Sequence, residues 1–347
     1  MGVPTMQRVG IGIIGLGMAV RPHALALREL ADHADVVGGF SPTPERRREF
    51  AKTYGLPTVE SLDALLSDAR VQAVLILTPP RTHSELALRA AAAGKHVLLE
   101  KPVDVSLPEA RAVVDGVEKA GRKLGVVFQY RFRPGTVTLR KLLREGALGD
   151  LLSASCAVRW WRPAEYYAQP GRGMQARDGG GVLLTQSIHT LDVLLDLAGP
   201  VKRVSAQCRT GPLRGIDTED IACAAVEYRN GAVGVVDATT VAYPGFPERI
   251  DLAGTKGSAV LEAERLVVHR AGQDPLHVDG STAGGGGADP MAFSHEHHRR
   301  VIEDFLDAVR TGREPRSSGR SALAVHALID AMLDSSASGR PVDVDAG

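Results

Sequence analysis

Two residues stand out as able to handle protons and charge at a reacting oxygen: Lys101, in Glu100-Lys101-Pro102, and His189, in GGGVLLTQSIHTLD. Oxidising a secondary alcohol needs a group that takes the hydroxyl proton, and histidine titrates near working pH. A lysine beside it can polarise the oxygen. Asp192, three residues beyond His189, is the nearest carboxylate in the segment, placed to orient the imidazole or bind a substrate hydroxyl. At the other end of the chain, Gly12, Gly15 and Gly17 lie in GIIGLGMAV, after an apolar run and before a helical stretch. Glycines in that context let backbone N–H groups approach a pyrophosphate at a positive helix end, although they also close ordinary strand-to-helix turns. The third fingerprint position is Val20, which predicts a looser approach of helix to strand.

These residues need a frame, and the frame is legible. From Arg8 to about Tyr130, short apolar runs (VGIGIIG, DVVGGF, VQAVLIL, KHVLLE, KLGVVFQY) alternate with helical stretches at 24–31, 44–54, 84–93 and 108–120. That alternation predicts a parallel sheet covered by helices on both faces. Ligands of such sheets bind at the carboxyl ends of the strands. The expected dinucleotide set is therefore Gly15, Gly17, Met18 and Ala19 after the first strand, Ser41, Thr43 and Arg46 after the second, Leu77, Thr78, Pro79 and His83 after the third, and Glu100, Lys101 and Pro102 after the fourth. An acidic residue selective for the ribose of NAD is missing at Phe40-Ser41, whereas Ser41, Thr43 and Arg46, Arg47 and Arg48 suit a 2′-phosphate. Those arginines also read as a solvated helix face. The cofactor expectation is NAD or NADP, with a lean to NADP.

After Arg131 the pattern becomes α+β: a helix at 136–145, strands at 151–161, 201–209, 221–228 and 233–240, shorter strands at 249–253, 258–261 and 266–269, and closing helices at 294–310 and 321–335. Asn230-Gly231 predicts a type I′ hairpin. Residues 280–290, GSTAGGGGADP, read as a loop, and the first seven residues as a frayed end. The fold expectation is α/β, an N-terminal Rossmann domain over 1–130, followed over 131–347 by an α+β domain with a large open, mainly antiparallel sheet.

Seven of the fifteen Phe, Tyr and Trp residues fall between Phe128 and Tyr167, interleaved with Arg131, Arg133, Arg159, Arg162, Arg172 and Arg177. Aromatic faces suit rings and arginine forks suit carboxylates, so Arg131, Trp161, Tyr166, Arg172 and Gln186 join Lys101 and His189 as the expected substrate set. Core packing for Phe128 and Phe132, and ordinary salt bridges for most of the arginines, compete with that reading. His295, His297 and His298 sit on diverging faces with no Cys or Asp cluster, so no metal is expected.

The chain has 347 residues, enough for two domains, with 41 basic and 41 acidic residues and no net charge. Such a balance argues against nucleic acid or an anionic membrane and for a small-molecule partner. Three cysteines without a CxxC pair, and no long apolar run, suggest a soluble, cytoplasmic protein.

GxG near the start, EKP about a third along and GGGxLxxxxxHxxD past the middle together resemble the Gfo/Idh/MocA oxidoreductase family, as do YPGFPERIDLAGTKGS and HHRRVIEDFLDAVRTGREP. The resemblance implies NAD or NADP, sugar or cyclitol substrates, Lys101 in contact with substrate and nicotinamide, and His189 as the acid/base residue. It also implies a homodimer or homotetramer paired through the open sheet. Where many members carry an aspartate four residues before the histidine, this chain has Thr185, and Gln186 and Ser187 replace small or apolar residues. The leading expectation is a dehydrogenase or reductase for a sugar, cyclitol, sugar acid or cyclic diol. A redox-assisted glycosidase and a non-catalytic regulator of the same fold are the alternatives.

Overall fold

A computed structural model describes residues 7–212, 215–280 and 294–345. The strands are β1 (Val9–Ile14), β2 (Ala34–Phe40), β3 (Ala73–Ile76), β4 (His96–Leu99), β5 (Leu124–Val126), β6 (Leu151–Arg159), β7 (Val201–Arg209), β8 (Ile221–Tyr228), β9 (Val233–Thr239), β10 (Arg249–Gly254), β11 (Gly257–Glu262), β12 (Arg265–Arg270), β13 (Leu276–Val278) and β14 (Val342–Asp343). The helices are α1 (Val20–Glu29), α2 (Pro44–Tyr54), α3 (Leu62–Ser67), α4 (His83–Ala92), α5 (Leu107–Lys119), α6 (Pro134–Arg144), α7 (Ala164–Tyr167), α8 (Gln175–Asp178), α9 (Val182–Thr185), α10 (Ile188–Ala198), α11 (Glu296–Thr311) and α12 (Gly319–Ser338). Of the expected loop at 280–290, all but Gly280 lies outside the described residues, as does the expected frayed end apart from Gln7.

Two compact units emerge. One takes in the described residues of Met1–Asp104, Pro108–Gln129 and Ser294–Ala322, the other those of Val105–Leu107, Tyr130–Phe293 and Leu323–Gly347. This differs from the expected division at residue 130, because α11 belongs to the first unit. Val301, Ile302, Phe305, Leu306 and Ala308 form its buried face. A Cβ added at Gly125 would lie 2.9 Å from the Phe305 ring, so glycine in β5 makes room for the helix.

In the first unit, five parallel strands run in the order β2-β1-β3-β4-β5. β1, β3 and β5 are buried throughout, which is why their sequences are apolar without alternation. The chain adds β2 on one side of β1 and β3 on the other, so the switch in winding falls at the carboxyl ends of β1 and β3, where such sheets hold ligands.

In the second unit, nine strands run β13-β12-β11-β10-β6-β9-β8-β7-β14, and every neighbouring pair is antiparallel except β6 with β9. Side chains alternate as the period of a strand requires. Ala154, Cys156 and Val158 of β6 and Ala222, Ala224 and Val226 of β8 are buried, while Val233 and Val235 of β9 are more than half or half exposed at 58% and 50%. α10 and α6 cover one face, with Leu139, Ile188, Leu191 and Leu194 fully buried. The β8–β9 hairpin forms, but not through the expected type I′ turn: Asn230 lacks the positive φ that turn requires, and the Gly231 N–H donates to the Tyr228 carbonyl at 3.0 Å, so that Arg229 and Asn230 are the central pair and Gly231, at φ +89°, follows them.

Candidate active site

In the first unit, the turn after β1 is built for close approach. Gly15 has φ +99°, and a Cβ there would stand 2.9 Å from the Leu77 backbone and the Thr78 side chain. A Cβ at Gly17 would meet nothing within 4 Å, which leaves open space above the backbone. α1 then begins with no side-chain cap and no acidic residue in its first turn, so its N-terminal N–H groups present positive charge. Met18 beside them is 71% exposed. Open backbone, an uncapped helix end and the switch point between β1 and β3 fit a dinucleotide pyrophosphate.

At the end of β2, Ser41 is buried and its Oγ accepts from the Thr43 N–H at 3.3 Å. Arg47 donates to the Ser41 carbonyl and to Glu60, each at 2.7 Å, and Arg48 pairs with Glu45. Arg46 is exposed and makes no ion pair among the described residues. Of the three arginines, Arg46 has the charge left for a phosphate.

His83 departs from its expected role. Its ring is fully buried, with the nitrogens 2.8 Å from the Pro102 and Thr78 carbonyl oxygens. It clasps the loops that follow β3 and β4 together, and burial pushes its pKa down. Glu100 is likewise engaged. His23 of α1 donates to its Oε1 at 2.8 Å, and the Lys101 N–H donates to its Oε2 at 3.0 Å. Burial opposes its ionisation, but His23, with the charges of His298 and Lys101, outweighs that and holds the carboxyl down at about 2.

The glycine run in the second unit serves packing and capping. A Cβ at Gly181 would lie 1.9 Å from the Glu219 carbonyl oxygen, and one at Gly179, itself at φ +75°, would lie 2.3 Å from Val105. The Glu219 carboxylate accepts from the N–H groups of Gly181 and Leu183 at 3.0 Å each, capping α9. Thr185 donates to the Gly181 carbonyl at 2.7 Å and also bonds Gln186. At Gln186 the backbone leaves helical geometry, with φ −112° and ψ −58°, and α10 starts anew at Ile188. Thr185 and His189, four residues apart, therefore sit on successive helices and not on one helical face.

His189, on α10, is buried and stacks on Tyr130, with ring centroids 4.9 Å apart and planes inclined by 28°. The Arg133 guanidinium lies 3.2 Å from the centre of the Tyr130 ring and pairs with Glu248 at 2.5 Å. Asp192 is fully buried, and both its oxygens accept from Arg131 at 2.6 Å; Arg140 ties neighbouring Asp196 into the same group. Arg131, expected to meet substrate, is thus committed to a buried ion pair. Arg159 and Arg177 also pair with aspartates.

Tyr166 has Gln186 donating to its hydroxyl at 3.3 Å and the guanidinium carbons of Arg172 and Arg162 at 5.0 and 5.6 Å from its ring centre. Arg172, Thr185 and Gln186 line a shallow cleft together with Tyr167 and Glu219. Trp161 stands apart from these contacts, edge to face with Tyr243 at 5.6 Å. Phe128, Phe132 and Trp160 are core residues.

Sequence reasoning missed His23, Tyr130 in contact with His189, and Glu219. Tyr130 was visible as part of the aromatic cluster. Nothing local signals the other two, since their partners arrive from distant strands and helices.

Residues 9–128 match a family model described as an oxidoreductase family with an NAD-binding Rossmann fold, and residues 136–260 match the GFO/IDH/MocA C-terminal domain. Inositol 2-dehydrogenase of Rhizobium meliloti is 28% identical over 97% of this chain and 99% of its own. Among solved structures, levoglucosan dehydrogenase in complex with NADH and levoglucosan is 26% identical, with a TM-score of 0.88 over 98% of this chain and all of that one. The WlbA dehydrogenase of Bordetella pertussis, in complex with NADH and UDP-GlcNAcA, is 27% identical, with a TM-score of 0.83 over 98% and 99% of the two chains. Among the described residues no helix is long and apolar enough to cross a membrane.

Proposed function

Since this chain belongs to the Gfo/Idh/MocA oxidoreductase family, we propose that it is a dehydrogenase that exchanges hydride between a nicotinamide cofactor and a secondary alcohol of a sugar, cyclitol, sugar acid or related cyclic diol. The observation that carries this reading is the turn after β1, where Gly15 and Gly17 bare the backbone ahead of an uncapped helix. When bound, a nicotinamide nucleotide supplies the hydride acceptor or donor. Gly15, Gly17, Met18 and Ala19 would hold its pyrophosphate, and Ser41, Thr43 and Arg46 its adenosine ribose. The absence of a carboxylate at Ser41, together with the exposed charge of Arg46, favours NADP at least as much as NAD. Leu77, Thr78, Pro79 and Lys101 complete the cofactor side, with His83 and Pro102 fixing the loops.

In the oxidising direction His189 takes the hydroxyl proton, and the Lys101 ammonium lowers the energy of the developing oxyanion. Tyr130 fixes the plane of the His189 ring from one side. Thr185, Gln186, Tyr166 and Arg172 form the surface that receives substrate hydroxyls, with Arg172 suited to a carboxylate. Trp161 offers an aromatic face to a ring. Asp192 acts at a distance from the proton transfer, by holding Arg131 beneath α10.

The test is cofactor reduction with purified protein over a panel of sugars, sugar acids, inositols and ring diols, using NAD and NADP in turn. Steady formation of reduced nucleotide with at least one member supports the reading. Release of an aglycone from glycosides without net cofactor reduction would replace it with redox-assisted glycoside cleavage.

A further inference from the structure

His23, Glu100 and His298 come from α1, the residue after β4 and the first turn of α11, all within the first unit. One donor atom from each lies within 4.8 Å of the other two. Both histidines are buried and Glu100 keeps a narrow opening, its side chain 16% exposed. The His23 and His298 rings stand at 90° with centroids 4.9 Å apart. Two imidazoles on one tetrahedral Zn²⁺, with Zn–N bonds of about 2.0–2.1 Å, hold their centroids about 5 Å apart. His23 also carries a buried Nδ1 that has no hydrogen-bond partner among the described residues, while its Nε2 meets Glu100.

We propose that His23, Glu100 and His298 form a binding site for a divalent transition-metal ion of the Zn²⁺ class. Two imidazole nitrogens and one carboxylate match the donor preferences of Zn²⁺ and Co²⁺, whereas Ca²⁺ and Mg²⁺ take oxygen ligands. The narrow opening at Glu100 leaves room for water or a hydroxide as the fourth ligand. An ion here ties together three segments that are remote in sequence. It also sits one residue from Lys101, whose N–H bonds the same carboxylate.

The experiment uses the full chain stripped with a chelator and titrated with Co²⁺, reading the visible absorption of the bound ion, its displacement by Zn²⁺ and the shift in Tm. One ion per chain is expected, with a higher Tm in Zn²⁺ than in chelator. His298→Gln and His23→Gln should each weaken binding by more than the roughly 10- to 100-fold that loss of an outer-shell partner costs. His297→Gln should leave it unchanged. X-ray absorption of the Zn²⁺-loaded native chain gives an independent reading if a variant fails to fold, and two imidazoles in its coordination shell are expected. Retention of less than one ion per chain, binding indifferent to both glutamine variants, or a shell without imidazole would overturn the proposal and leave a purely hydrogen-bonded clasp. None of these outcomes depends on turnover, so they stand whatever the substrate screen shows.

Discussion

At the scale of single residues, the charged side chains Lys101 and Asp192, both expected at the reacting centre, have different surroundings. Lys101 follows a carboxylate fastened by His23, and the role proposed for it is electrostatic. Lys101→Ala is expected to lower kcat by about 100-fold or more, in keeping with loss of a stabiliser of transition-state charge, while nucleotide affinity changes little. Steady-state kinetics beside a fluorescence titration with NADPH checks both halves. Asp192 was expected to support the imidazole of His189, but both its oxygens are given to Arg131. Asp192→Asn should therefore cost about 3–5 kcal/mol of stability, the penalty for leaving a buried guanidinium without its counter-charge. Urea unfolding measures it, and a loss below about 1 kcal/mol would rule out that role. The pair is invisible in sequence because its members lie 61 residues apart on separate helical segments. His189 can be singled out as a candidate from residue type and setting. Its stacking on Tyr130 cannot be read from sequence, because contact between rings depends on how the turn at Gln129–Phe132 and α10 meet, not on spacing.

Among elements, those with long periodic patterns were read nearly to the residue: α2 at Pro44–Tyr54, β7 at Val201–Arg209 and β8 at Ile221–Tyr228. The short ones escaped. α3 has six residues, β13 three and β14 two, too few for a period to declare itself. The interruption between α9 and α10 was also hidden, since VLLTQSIHTLDVLL reads as one apolar helix. Only the backbone at Gln186, and the Ser187 hydroxyl donating to the Val182 carbonyl at 2.9 Å, reveal the restart. The turn after β2 carries the prediction that belongs here. If its lack of a carboxylate sets nucleotide choice, the native chain binds NADP at least as tightly as NAD, and Ser41→Asp weakens NADP by about tenfold or more while sparing NAD, through repulsion of the 2′-phosphate. Paired affinity measurements decide it, and a strong native preference for NAD would refute it.

For the whole molecule, acid sensitivity follows from buried histidines. His326 in α12 is 3% exposed, and burial pushes its pKa down to about 4. Between that value and the ordinary histidine range, the unfolded chain binds a proton that the folded chain refuses, so stability rises with pH there and falls as pH drops. Each such histidine contributes about 1.4 kcal/mol per pH unit across the window. In His326→Leu, the slope of unfolding free energy between about pH 6.5 and 4 should flatten by that amount; denaturant unfolding at several pH values reads it, and an unchanged slope would show that His326 is already charged when folded.

The place of α11 bears on how the chain is made. Its apolar face, with Phe305 set against Gly125, belongs to the nucleotide-binding unit, yet it leaves the ribosome after nearly all of the large sheet. The first unit to be begun is therefore left unfinished until most of the second has been made, and until α11 arrives the nascent chain carries an uncovered apolar surface beside β5. A fragment ending at Gln129 should bind the dye ANS and aggregate, and a synthetic peptide spanning Ser294–Ala322 should suppress both. A soluble, dye-silent fragment would show instead that this unit closes without its final helix.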